Sequence, residues 1–156
     1  MADLTVSVTE SVTINGTNRG NTNNITITGI EHTFERVVTV PSGADTTVLV
    51  NKNTVAGADG AVDIQDTKYI RITNLDNTNT INLSLQIDSG NNDSAAEESA
   101  TISLAAGHSF IMGTPHDAIA VSDANADINA SMHDLESIMV DSATEDVKVE
   151  IFVAGS

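Results

Sequence analysis

Four histidines, His32, His108, His116 and His133, are the residues in this chain with the broadest chemical range. Metal centres group such ligands at short spacings of the H-x-H or H-E-x-x-H kind, whereas these four fall in four separate segments. His116-Asp117 with Ser109 nearby supplies the residue types of an acyl-transfer triad. No G-x-S-x-G elbow exposes a serine as nucleophile, however. The histidines therefore read as isolated loop residues. The carboxylates form two loose groups. One runs from Asp88 to Asp93 with Glu97 and Glu98; the other is Asp123-Ala124-Asn125-Ala126-Asp127. Calcium takes about six to eight oxygens, so Asp88, Asp93, Asp123 and Asp127 are weak calcium candidates. The EF-hand pattern is absent, and solvated loops are the favoured reading. Cysteine is absent too, which removes disulfides, thiolate metal sites and thiol nucleophiles. The sequence predicts no catalytic residue, no cofactor and no resident metal.

Charge narrows the partners. Twenty-two acids against six bases leave a formal charge of −16, which argues against binding the phosphate backbone of nucleic acid and against anionic membranes. The opening MADLTVSVTE has neither a basic n-region nor an apolar h-region, so no signal peptide is expected. No apolar run approaches the roughly 20 residues that span a bilayer. Aromatics make up 3% of the chain and tryptophan is missing. A core must then be built from Ile, Val, Leu and Ala, with Phe34, Tyr69, Phe110 and Phe152 as large fillers. Few aromatics remain for the stacking platforms that sugar and base recognition use.

The elements that would position these residues announce themselves by period 2, since successive strand side chains point to opposite faces. Leu4, Val6, Val8, Val12 and Ile14 alternate with Thr and Ser, interrupted by Glu10, and Asn15-Gly16 is a turn signal. The polar stretch NGTNRGNTNN reads as an exposed loop before a short strand at Ile25 to Thr28. Phe34, Val38 and Val40 point inward from a further strand that Pro41-Ser42-Gly43 ends. Thr46 to Val50 is another strand. The segment 51–66 reads as a loop that holds at most a short turn.

The clearest stretch is KYIRITNLDNTNTINLSLQI, residues 68–87. Ile70 and Ile72, then Ile81, Leu83, Leu85 and Ile87, form a dry face on two arms around an Asp/Asn-rich gap, which predicts a β-hairpin. Ala100 to Leu104 and Ser109 to Met112 flank Ala105-Ala106-Gly107-His108 as a second hairpin. Ala118 to Val121 is a short strand. Ser131 with Asp134 mimics a helical capping box, yet Leu135 to Val140 leads into the alternating Val147, Val149, Ile151 and Val153, and a closing hairpin is favoured.

About 8–11 short strands without a convincing helix predict one all-β domain over residues 1–156, an antiparallel β-sandwich of jelly-roll type first, with an immunoglobulin-like sandwich next. The strand faces opposite the aliphatic ones are rich in Thr, Asn and Ser, with Lys and Arg nearly missing. Edge strands of soluble β proteins are commonly guarded by such charges. The Leu4–Ile14 and Val147–Val153 runs carry little of this protection, so they either pair with each other or are covered by another subunit. On the 68–87 segment, Thr80, Asn82, Ser84 and Gln86 are the candidate contact residues.

The succession RVVTVPSG, KYIRITNLDNTNTINLSLQI and ATISLAAGHSFIMGTP, spanning Arg36 to Pro115, resembles small virion structural proteins of tailed bacteriophages. The resemblance implies a non-enzymatic particle component. A capsid decoration (cement) protein fits the size: a homo-oligomer, dimer or trimer, bound to the major capsid protein on the outer head and assembled in the host cytoplasm. A small tail or neck component is an alternative, as is a calcium- or glycan-binding β-sandwich module using loops 88–98 and 122–131.

Overall fold

Alternation decides nearly every element. The computed structural model describes residues 1–53, 60–88, 98–121 and 131–156, and among them every regular element is a strand. In order these are β1 (Ala2–Thr9), β2 (Thr13–Ile14), β3 (Thr17–Asn18), β4 (Thr22–Ile30), β5 (His32–Val40), β6 (Thr46–Lys52) and β7 (Val62–Asp63). They continue with β8 (Thr67–Asn74), β9 (Ile81–Asp88), β10 (Glu98–Leu104), β11 (Ser109–Met112), β12 (Asp134–Asp141) and β13 (Val147–Gly155).

Nine of these strands make two sheets, ordered β10-β9-β12-β6-β7 and β11-β8-β13-β5. All neighbours are antiparallel except β6 and β7. The pairing is nested: β5 lies beside β13, β6 beside β12, β8 beside β11, and β9 beside β10. A ribbon folded over itself in that way is a jelly roll. The inner faces meet in one core. Ile70, Ile72, Val147, Val149, Ile151 and Val153 come from the smaller sheet, and Leu49, Ile81, Leu83, Leu85, Leu135, Ile138 and Val140 from the larger. Phe34 and Phe110 pack at its margin. Each fully buried aliphatic side chain contributes roughly 1.5–3 kcal/mol relative to exposure, so this double row drives the fold.

Three expected hairpins are corrected. β8 and β9 do not pair; the 75–80 segment carries the chain from one sheet to the other. β10 and β11 are likewise split between sheets, as are β12 and β13, so 134–141 is a strand but no closing hairpin. Alternation reveals which face a strand buries, and both topologies bury the same face. Partner choice is made by the crossings. Asn74, fully buried, donates from Nδ2 to the carbonyls of Asn79 (2.8 Å) and Leu104 (3.2 Å), and its Oδ1 accepts the Asp76 N–H (3.0 Å). Its own N–H donates to the His108 carbonyl at 3.0 Å, and its carbonyl accepts from Gly107 at 3.1 Å. One asparagine thus ties the β8–β9 crossing to the β10–β11 crossing. Asp76 completes the turn: its carboxylate accepts the N–H groups of Asn79 (2.6 Å) and Thr78 (2.7 Å). Those donors, Asn79 foremost, hold the Asp76 carboxyl below the ordinary carboxylate range.

The termini are corrected as well. The Leu4–Ile14 and Val147–Val153 runs do not pair; β13 is an interior strand between β5 and β8, and β1 pairs with β4. Beside β13 the edge of this sheet is β5, where Arg36 points toward the core side opposite Ile151 and donates to the Val48 carbonyl. An inward charge of this kind blunts an edge. The Ala118–Val121 strand reduces to one bridge, Ile119 with His133.

The polar loop expected at Asn15 to Asn24 is instead half of a long ribbon. Leu4–Ile27 through Thr9–Thr22 and Thr13–Asn18 through Ile14–Thr17 share one register. Hydrogen bonds from Glu10 N–H to Asn21 and from Arg19 N–H to Val12 bridge the two parts. Asn15 and Gly16 close the turn with φ of 51° and 76°, the two positive values a type I′ hairpin demands. Gly20 must be glycine, because a Cβ there would collide with the Glu10 carbonyl. The polarity of this stretch gave no hint of strand, because the ribbon buries neither face there and needs no aliphatic alternation on its returning arm. The base of the ribbon lies on the outer face of the smaller sheet, where Leu4, Val6 and Ile27 pack with Ile30, Tyr69, Phe152 and Ala154. Tyr69 and Phe152 meet edge to face at 6.1 Å. Burial there raises the Tyr69 phenol above its ordinary range, the charge of Arg71 offsetting part of that rise.

Candidate functional site

Among the described residues, three surface features remain after the core is accounted for. The first is the outer face of the larger sheet. Register places Ser99, Gln86 and Ser137 in one row, Thr101, Ser84 and Met139 in the next, and Ser103, Asn82 and Asp141 in a third. Asn82, Ser84 and Gln86, three of the four candidate contact residues, line a shallow hollow of about 300 Å³ with Asp45, Thr101, Met139, Val140 and Asp141. Thr80 is exposed just before β9. Gln86 Nε2 donates to Ser84 Oγ at 2.8 Å, and Thr101 Oγ1 donates to the same oxygen at 3.4 Å. These short polar side chains satisfy one another loosely, and two carboxylates, Asp45 and Asp141, border the hollow. The surface suits hydrogen bonding to a flat partner.

The second feature is the ribbon itself. The even-numbered residues of its outgoing arm, Leu4 to Ile14, share one face with Ile25 and Ile27. At the base Leu4, Val6 and Ile27 on that face are half-buried, while Ile25, paired with Val6, is 59% exposed; further out Val8, Val12 and Ile14 are 44%, 47% and 52% exposed. Beside the base runs a groove of about 330 Å³ lined by Leu4, Thr5, Val6, Ser7, Val8, Tyr69, Arg71, Ile111 and Phe152. Arg71 lies over the Phe152 ring at 5.9 Å and pairs with Glu150 at 2.6 Å. Ile111, on the edge strand β11, is 44% exposed at the groove's rim. The sequence did contain a signal for this feature: an aliphatic run with Thr and Ser opposite it and no charged guard except Glu10.

The third feature is a polar cluster that joins residues 18 positions apart. His116 Nδ1 lies 2.8 Å from Asp134 Oδ1, and Nε2 lies 3.4 Å from Asp117 Oδ2. The Asp117 N–H also donates to Asp134 Oδ1 at 2.8 Å, which holds Asp117 at a φ of 47°, a conformation Asp tolerates better than most residues. The Ile119–His133 bridge and a bond from Leu135 N–H to the Pro115 carbonyl bring the two segments together. Asp134, read from sequence as half of a capping box, is therefore the histidine's partner. The three side chains lie within 4.8 Å of one another. Both ring nitrogens already face carboxylates, and they point to opposite sides of the ring. One cation could meet only one of them, with the other carboxylate orienting the ring from behind. Ser109 is elsewhere: its hydroxyl pairs with Thr73 at 2.9 Å on the outer face of the smaller sheet. No triad is assembled from Ser109, His116 and Asp117.

Of the four calcium candidates, Asp93, Asp123 and Asp127 lie outside the described residues. Asp88 is buried at the end of β9, its Cα opposite that of Asp134. No protein-family model matches the chain, and no curated protein matches it.

Proposed function

We propose that this chain is a non-enzymatic structural component of a virion, a decoration protein that associates with itself and with the outer surface of a capsid. The observation that carries the reading is the set of exposed aliphatics on the ribbon. Isolated exposed aliphatics are ordinary, but Val8, Val12, Ile14 and Ile25 share one face of one element. Glu10, Arg19, Asn21 and Asn23 fall on the same face, so the aliphatics form two exposed groups, Val8 with Ile25 and Val12 with Ile14. Exposed aliphatics grouped on so lightly guarded a strand pair favour association. The Ser/Thr/Asn face of the larger sheet adds a second broad surface, suited to a flat partner. The charge of −16 fits an outer position better than one against packaged DNA. The resemblance of Arg36 to Pro115 to tailed-phage virion proteins supplies the biological setting.

The test is the mass of the purified chain by light scattering across a concentration series. A multiple of 16.3 kDa supports the reading; a monomer at every concentration counts against it. A calcium titration followed by melting temperature separates the binding-module alternative, because a ligand held only by the folded state raises the melting point. An unchanged melting point is expected.

A further inference from the structure

We infer that the distal ribbon of one copy enters the groove at the base of the ribbon on a second copy, so that each molecule both gives and receives an arm. This rests on the self-association proposed above and names its contact.

Geometry excludes the molecule's own arm. Val8 already lines the groove, and Ile14 lies six residues farther along a continuous ribbon. At about 3.3 Å per residue the tip is carried roughly 20 Å past its own groove. The chemistry matches. The groove's apolar lining, Leu4, Val6, Val8, Tyr69, Ile111 and Phe152, shares Tyr69 and Phe152 with the cluster on which the aliphatics of the ribbon base pack. Its 330 Å³ is about twice the roughly 150 Å³ cavity that accommodates a benzene-sized group, room for the side chains of Val12 and Ile14.

Charge permits this contact between identical copies. From Leu4 to its partner Ile27 the ribbon holds Glu10 and Arg19 as its charged residues, so this stretch has a net charge of zero and the full −16 lies on the remainder. Contact between two bodies would bring like charges together, whereas a neutral arm approaches an identical acidic body without that repulsion. The groove's lining includes Arg71 and no carboxylate. One arm and one groove per chain close into a dimer or a small ring.

The absence of cysteine makes the test direct. Ile14→Cys and Ile111→Cys are prepared as separate proteins, mixed and oxidised, with Ser99→Cys on the outer face of the larger sheet as the control partner. A disulfide joining Ile14→Cys to Ile111→Cys, at least tenfold more abundant than one to the control, is expected. Val12→Asn with Ile14→Asn, both exposed positions, is expected to keep the native circular dichroism spectrum while its mass falls to that of a monomer. If the wild-type chain is multimeric but cross-linking shows no preference, the arm-in-groove contact is wrong and self-association stands. If the wild-type chain is monomeric and no cross-link forms, both fall. Multimers that survive the double substitution also overturn the contact.

Discussion

Asn74→Ala tests whether the two sheet crossings are clamped by one side chain. The substitution removes the Nδ2 bonds to the carbonyls of Asn79 and Leu104 and the Oδ1 bond from the Asp76 N–H. A typical intramolecular hydrogen bond contributes about 1 kcal/mol net, and a buried acceptor left unpaired costs roughly 1–3 kcal/mol. Asn74 is fully buried and Leu104 nearly so, so water cannot readily replace what is lost. The sum is a destabilisation of about 2–4 kcal/mol, a large share of the roughly 5–15 kcal/mol by which domains are stable. Urea unfolding followed by circular dichroism measures it. The midpoint should fall with the slope unchanged, since the surface exposed on unfolding is the same. Asn77→Ala, at an exposed position in the same segment, is the control and should stay within about 0.5 kcal/mol. Equal effects from the two substitutions would refute the clamp and leave the crossings to be explained by core burial alone.

Ile151→Ala, at a fully buried site in the central strand β13, should cost about 2–5 kcal/mol, while Val37→Ala, 55% exposed, should cost little; denaturant titration distinguishes them. The Asp76 carboxyl is depressed in the folded state, so its contribution is complete above the ordinary value of 3.8 and is lost as pH falls below it. Asp76→Asn should therefore flatten the acid limb of a melting-temperature profile. Tyr69 is raised in the folded state, so its contribution is complete below pH 10.0 and is lost as pH rises beyond it; Tyr69→Phe should flatten the alkaline limb. Asn82→Arg with Ser84→Glu, on the outer face of the larger sheet, should leave the melting curve unchanged and weaken co-sedimentation with virions.

Faces were readable from the sequence where partners were not. The inward set Ile70, Ile72, Ile81, Leu83, Leu85, Ile87, Val147, Val149, Ile151 and Val153 follows from alternation alone, and all of it is buried. That β8 and β9 belong to different sheets does not follow. A tight hairpin and a crossing bury the same residues, and the bonds of the buried Asn74 amide that hold the crossing reach residues alternation does not point to. On the ribbon's returning arm the strand expected at Ile25 to Thr28 is part of β4, but Thr17 to Asn24 escaped because a solvent-exposed strand has no core to impose a pattern on it; Asn15-Gly16 signalled the turn but not its length. Asp134 gave no sign of meeting His116, because a register between distant segments, and no local spacing, brings them together.

Placement on a particle tests the central claim most directly. Virions purified on a density gradient from lysates in which the chain is produced would be probed with antibody and imaged by electron cryomicroscopy. The account predicts that the chain migrates with intact particles and contributes density on the outer head shell. Recovery of the chain solely among free proteins at the top of the gradient, with no corresponding density on the particle, would contradict it.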